Sequence, residues 1–307
     1  MYGAGIVLIF ATSFIGRRQR RCIDKIRNMI PKWPATWFIL RLTTYVIASI
    51  TQMRGSQTLS NFAVYNFIKA MKMSNKKIPN IITRPLPNGV TYNLSTPGRV
   101  HITLPTNSTW TSGLHWHETH TEYLCLTKGS IWVQLNDKRD IFTVKEGESA
   151  EVEVPPYTWH EWGRASLDGD DVEVVERTDP EDGDKAIFFW NLNGVILDAP
   201  KMLSNAWLAR LPSRLQGLFL DLWIPLNLFV IFRYLDNVPV FLNAQKLLSV
   251  SNADTKARLR RTDVAVSHFI LWVASWVGWM IGLQPVQTRY TPDDEYVKWH
   301  MRQRKYK

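Results

Sequence analysis

Cysteine is almost absent: the 307 residues hold two, Cys22 and Cys125. Two distant cysteines make no disulfide framework, so the expected location is intracellular and reducing. The chain also lacks a Gly-rich phosphate loop, a G-x-S-x-G elbow, internal repeats and low-complexity tracts. That removes P-loop nucleotide chemistry and the serine-hydrolase route. Acid is nearly missing from the first 72 residues, which carry 11 Lys and Arg against Asp24 alone. The net charge of +10 therefore belongs to this segment, and the remainder is balanced. No nucleic-acid motif accompanies the charge, so no nucleic-acid partner is expected.

Residues 1–72 form a basic, acid-poor extension. Residues 2–16 are apolar and run into Arg17-Arg18-Gln19-Arg20-Arg21, and a second apolar stretch at 35–53 is broken by Arg41. An Arg-containing, acid-poor start fits a mitochondrial transit peptide. A membrane anchor is the alternative, although the first run is shorter than the ~20 residues a span needs. Apolar before basic is the reverse of a secretory signal. Composition changes at Met73, so a third reading makes 1–72 an over-extended gene model. The expected organisation is the extension 1–72, a β-domain at 73–200 and a helical region at 201–307.

What is present is concentrated in His115-Trp116-His117-Glu118-Thr119-His120-Thr121-Glu122 and in the later Pro155-Pro156-Tyr157-Thr158-Trp159-His160. In a strand, residues i and i+2 share a face, so His115 and His117 point together. Glu122 begins the next strand and shares its parity with Leu124 and Leu126. Short alternating stretches follow at 130–136, 140–144, 150–154 and 171–176. Lys185 to Asn191, rich in aromatics, reads as a closing strand. Such spacing implies an antiparallel sandwich or barrel. Two imidazoles, a carboxylate and a third imidazole suit a divalent transition metal, with Fe, Mn, Ni and Zn not distinguished. The competing reading keeps the four residues as a polar hydrogen-bonded cluster. Glu118, on the opposite parity, and His120, in the turn, are rival ligands expected to serve other roles. Asp179 to Asp184 lacks EF-hand spacing and reads as a solvated turn.

These residues resemble the cupin superfamily. Its first motif, G-x5-H-x-H-x3,4-E-x6-G, is matched by His115, His117, Glu122 and Gly129. Its second, G-x5-P-x-G-x2-H-x3-N, is answered by Gly147, Pro155 and His160. The departures fall at turns: Thr109 replaces the leading glycine, Gly147 lies two residues too early, Tyr157 takes the turn glycine and Arg164 the closing asparagine. The resemblance implies a mainly β fold, a single cupin-type β-barrel (double-stranded β-helix). It implies one divalent metal held by His115, His117, Glu122 and His160, and a small-molecule substrate. It also implies oxygenase, isomerase, cyclase or dehydratase chemistry; within the superfamily the chain looks most like fungal secondary-metabolism proteins.

From Pro200 the pattern turns helical and hydrophobic. Residues 215–232 are nearly all apolar around Asp221, Pro225 and Asn227, and 268–283 place Trp272, Trp276 and Trp279 on one helical stripe. The tail is expected to cover the barrel, form a homodimer, or meet a membrane surface. Basic residues between and after the runs favour interfacial contact over spanning. Three functional classes follow: a metal-dependent enzyme, a non-catalytic ligand-binding cupin, and a membrane-associated scaffold.

Overall fold

The computed structural model describes residues 78–205, 208–248 and 252–305. The expectations for residues 1–72, including Cys22, lie outside the described residues. Among the described residues there are ten strands: β1 (Ile81–Arg84), β2 (Val90–Asn93), β3 (Arg99–Leu104), β4 (His115–Trp116), β5 (Thr121–Leu135), β6 (Lys138–Val144), β7 (Ala150–Val154), β8 (His160–Arg164), β9 (Val172–Asp179) and β10 (Val238–Pro239). All pairings are antiparallel, in the order β1-β2-β3-β9-β5-β8-β4-β10, with β6 and β7 also on β5.

The long β5 strand joins two antiparallel sheets. Its first half pairs with β7 and β9, and its second half pairs with β6 and β8. One strand thus belongs to two sheets, and the two sheets close on a shared interior. Gly129 lies inside the strand, although the sequence shows two separate alternating stretches on either side of it. It sits just past a register shift between Leu126 and Lys128, with φ at +85°. A Cβ there would lie 2.9 Å from the Val172 side chain. The position needs both a left-handed backbone and no side chain, and it bends the strand from one sheet into the other.

Alternation fills the interior. Val100, Ile102 and Leu104 of β3, Leu124 and Leu126 of β5, Val152 and Val154 of β7, and Val172 and Val174 of β9 are buried. Cys125, on the other parity, is a half-buried free thiol.

Lys185 to Asn191 is not a closing strand. It is the start of helix α1 (Asp184–Met202). The Asp182 carboxylate accepts the Asp184 N–H at 2.9 Å, and Gly183 takes φ +86° just before the first turn. Asp-Gly-Asp thereby stops β9 and starts a helix. Ile187, Phe188, Phe189 and Trp190 are all buried in one core with Ile231, Val286, Tyr290 and Trp299. Consecutive buried positions mean a helix covered on most sides, so its 3.6-residue period does not show.

The other helices are α2 (Ser213–Tyr234), α3 (Ala244–Leu248), α4 (Ala253–Met280) and α5 (Asp293–Lys305). The chain divides into two compact units. Among the described residues, one contains 78–240 and 267–305, with the barrel, α1, α2 and α5. The other contributes Phe241–Val266, in which the Asp263 carboxylate accepts the Ala244 N–H through both oxygens, at 3.1 and 2.9 Å. Helices α2 and α4 are long and apolar enough to cross a membrane by length and composition, with 28% and 33% of their apolar windows buried in the chain.

Candidate metal centre

The strand register assembles the four residues singled out by the sequence. His115 on β4 pairs directly with His160 on β8. Glu122 on β5 lies between Val154 of β7 and Thr178 of β9. His117 follows β4 on the parity of His115. All four are buried, and one ligand atom from each lies within 4.8 Å of the others.

The three imidazoles are oriented alike. His115 Nδ1 donates to the Gly113 carbonyl at 2.7 Å, His160 Nδ1 to the Thr158 carbonyl at 3.0 Å, and His117 Nδ1 to the Asp236 carbonyl. A carbonyl oxygen can only accept, so Nδ1 carries the proton in each ring and Nε2 carries the lone pair. Backbone acceptors of this kind fix tautomer and ring angle around metal-binding histidines. The Nε2 atoms of His117 and His160 and the Oε2 of Glu122 are buried without hydrogen-bond partners. His160 Nε2 comes within 2.9 Å of Glu122 Oε2, but misaligned for a hydrogen bond.

Buried lone pairs left unsatisfied are costly and need an occupant. The set therefore fits a divalent transition metal better than a self-contained hydrogen-bonded cluster. Protonation does not relieve it. Burial holds His160 down to about 4. Burial above all, then the neighbouring imidazoles and Lys185, hold His115 and His117 well below the ordinary imidazole range. All three are neutral at physiological pH, the state a metal ligand requires.

Two further groups touch the cluster. Lys185, on the first turn of α1, places its ammonium on Glu122 Oε1 and 2.9 Å from Glu176 Oε2. Glu176 also accepts the Trp162 indole N–H at 2.9 Å. Burial pushes Glu176 up to about 7 and Lys185 down to about 7. Glu176 was findable in the sequence, since it shares parity with Val172 and Val174. Lys185 was not, because its segment reads as a strand.

The rivals are engaged elsewhere. Glu118 accepts the Trp116 indole N–H at 3.2 Å and faces His268 of α4 at 2.9 Å. His120 contacts Asp236 at 2.7 Å and Asp182 at 3.2 Å, one carboxylate on each ring nitrogen. These bonds raise it to about 9. Asp182 is thus a partner of His120 and not a purely solvated turn residue. Asp236 also accepts the backbone N–H groups of Glu118 and Thr119 at 2.7 and 2.9 Å.

A cavity of about 340 Å³ adjoins the cluster, lined by the polar His115, Glu122, Glu176 and Lys185 and by the apolar Trp110, Phe188, Phe189 and Phe232. Its volume is in the range of small-molecule pockets.

No protein-family profile and no curated protein matches the chain. Solved structures overlap with it in part. They include the capsular polysaccharide assembling protein CapF from Staphylococcus aureus, at 16% identity over 32% of this chain and 30% of that one, with a TM-score of 0.26. KdgF from Halomonas sp. overlaps at 16% identity over 34% of this chain and 93% of its own, with a TM-score of 0.25. An RmlC-like cupin with a double-stranded β-helix fold from Methanocaldococcus jannaschii overlaps at 18% identity over 34% and 85%, with a TM-score of 0.21. The chain thus spans about a third of the length of CapF.

Proposed function

We propose that this chain is a metal-dependent cupin enzyme acting on a small organic substrate, with oxygenase or isomerase, cyclase or dehydratase chemistry. The observation that carries the reading is the set of three pre-oriented imidazoles and one carboxylate with unpartnered donor atoms, bordering an amphipathic cavity. His115, His117, Glu122 and His160 would hold the ion, which would supply Lewis-acid polarisation or dioxygen chemistry. The residues of the chain do the rest. The aromatic wall excludes water from the substrate, and Lys185 and Glu176 offer a proton donor and acceptor at the cavity surface, both held near neutrality by burial. Secondary metabolism, implied by the sequence resemblance, is the pathway class proposed for it.

The test is elemental analysis of protein purified without added metal, alongside His160→Ala. About one metal per chain is expected for the parent, with at least a tenfold loss of affinity in the variant, as for removal of a ligand or its support. A metal-free parent whose melting temperature ignores added Fe, Mn, Ni and Zn would sink the reading.

A membrane surface is proposed as a further partner. The supporting observation is the α4 stripe, on which Trp272, Trp276 and Trp279 remain 53%, 38% and 75% exposed. The barrel does not cover these indoles, and aromatic belts favour the headgroup region.

A further inference from the structure

The cavity beside the four candidate ligands is lined by two long cations, Arg84 and Lys185. They are in different states. Lys185 already lies between Glu122 and Glu176. Arg84 ends β1 at the cavity rim, and among the described residues no carboxylate lies within ion-pair distance of it. Tyr92 holds it in place: its Nη2 donates to the Tyr92 hydroxyl at 2.8 Å, and the guanidinium carbon lies 5.5 Å from the ring centroid. Tyr92 is itself completely buried, wedged against Trp110 and Phe189 with ring centroids at 6.3 and 4.6 Å. The guanidinium is thereby held by a rigid aromatic post. Its Nε is buried and has no hydrogen-bond partner.

A half-buried guanidinium with a buried, unused N–H is an incomplete arrangement. Burying such a donor without an acceptor costs free energy, and a buried charge without a counter-ion costs more. A guanidinium offers several N–H donors in one plane to a carboxylate, which a compact ammonium cannot reproduce. Phe188, Phe189, Leu192 and Phe232 also line the cavity. A ligand that satisfies both kinds of lining carries a carboxylate and a hydrophobic body. At about 340 Å³ the space suits a small acid and not a polymer.

We propose that Arg84 is the carboxylate anchor of this cavity, and that the substrate class is small organic acids with an aromatic or branched apolar body. This rests on reading the cavity as the substrate pocket of the proposed enzyme. Arg84 then sets specificity and substrate orientation, with Tyr92 as the positioning residue that fixes the guanidinium.

The test uses the full chain as purified, with its metal content recorded. Benzoate, phenylacetate and isovalerate are titrated against the matching amides, followed by calorimetry or by tryptophan emission. At least one acid is expected to bind about tenfold or more tightly than its amide, the scale of a charge-assisted hydrogen-bond pair. Arg84→Gln should bring that acid to the level of its amide while metal content stays unchanged. In the unsubstituted protein, the same acid, and not the amide, should slow phenylglyoxal modification of Arg84 mapped by mass spectrometry. This second measurement decides the matter if Arg84→Gln does not fold. The proposal is overturned if no acid is preferred to its amide, if Arg84→Gln folds and keeps the preference, or if acid and amide protect Arg84 equally. A chain that holds no metal but still shows the Arg84-dependent preference would remove the metalloenzyme reading and leave the anchor in place.

Discussion

At the scale of single residues, the departures from the cupin pattern have structural answers. Arg164 occupies the position of a closing asparagine, and it is buried. It donates to the carbonyls of Leu104, Ser166, Asp168, Gly169 and Asp170, at distances from 2.7 to 3.4 Å. It ties the loop after β8 to the buried Leu104 carbonyl of β3. Arg164→Ala strips these acceptors at once, and a loss of about 3 kcal/mol is expected in denaturant unfolding. Tyr157 stands at a turn glycine and adopts φ +63°. Its N–H donates to the His117 carbonyl at 2.6 Å, so the turn is kept despite the wrong residue. A left-handed non-glycine residue costs ~1–2 kcal/mol, and glycine returns ~0.5–1 kcal/mol of that as chain entropy. Tyr157→Gly is therefore expected to raise the melting temperature by a few degrees. A lower melting temperature would show that the tyrosine side chain contributes more than its backbone costs.

At the scale of elements, His120 joins three of them: the turn before β5, the turn into α1 through Asp182, and the end of α2 through Asp236. Its pKa is raised from 6.5 to about 9, so the folded state holds its proton more tightly than the unfolded chain. The stabilisation is complete below pH 6.5 and disappears as pH rises through about 9. With solvent screening of this partly exposed group, about 1–2 kcal/mol is expected. Urea unfolding between pH 6 and 10 should show that decline in the parent and a flatter profile in His120→Gln. An identical slope in both would rule out His120 as its source. The element scale also shows what could be read from the chain. His115, His117, Glu122 and His160 were legible because strand parity and short spacings are local properties. The inward strands were legible for the same reason. Helix α1 was not: Phe188-Phe189-Trp190 has strand propensity, and tertiary burial on most sides overrides it. Lys185 was lost with it. Asp236 was out of reach for a different cause, since it lies far along the chain from every residue it touches around the cluster.

At the scale of the whole molecule, the exposed indoles of α4 set the test for membrane contact. Full-length protein should co-sediment with phosphatidylserine-containing vesicles, more weakly at high salt. Replacing Trp272, Trp276 and Trp279 together by serine should abolish sedimentation and leave the melting temperature nearly unchanged, because exposed side chains contribute little to folding. Loss of stability without loss of sedimentation would assign the stripe to packing. One feature of the centre reaches further. The groups that orient its three imidazoles are carbonyls at positions 113, 158 and 236, and every amino acid carries that group. Inherited variation at these positions leaves the orienting oxygen in place, whatever side chain arrives. A one-residue insertion or deletion beside them shifts the oxygen away while all four candidate ligands survive in the sequence. Descendants of this chain can thus lose the centre through a change in length that no comparison of ligand residues would register.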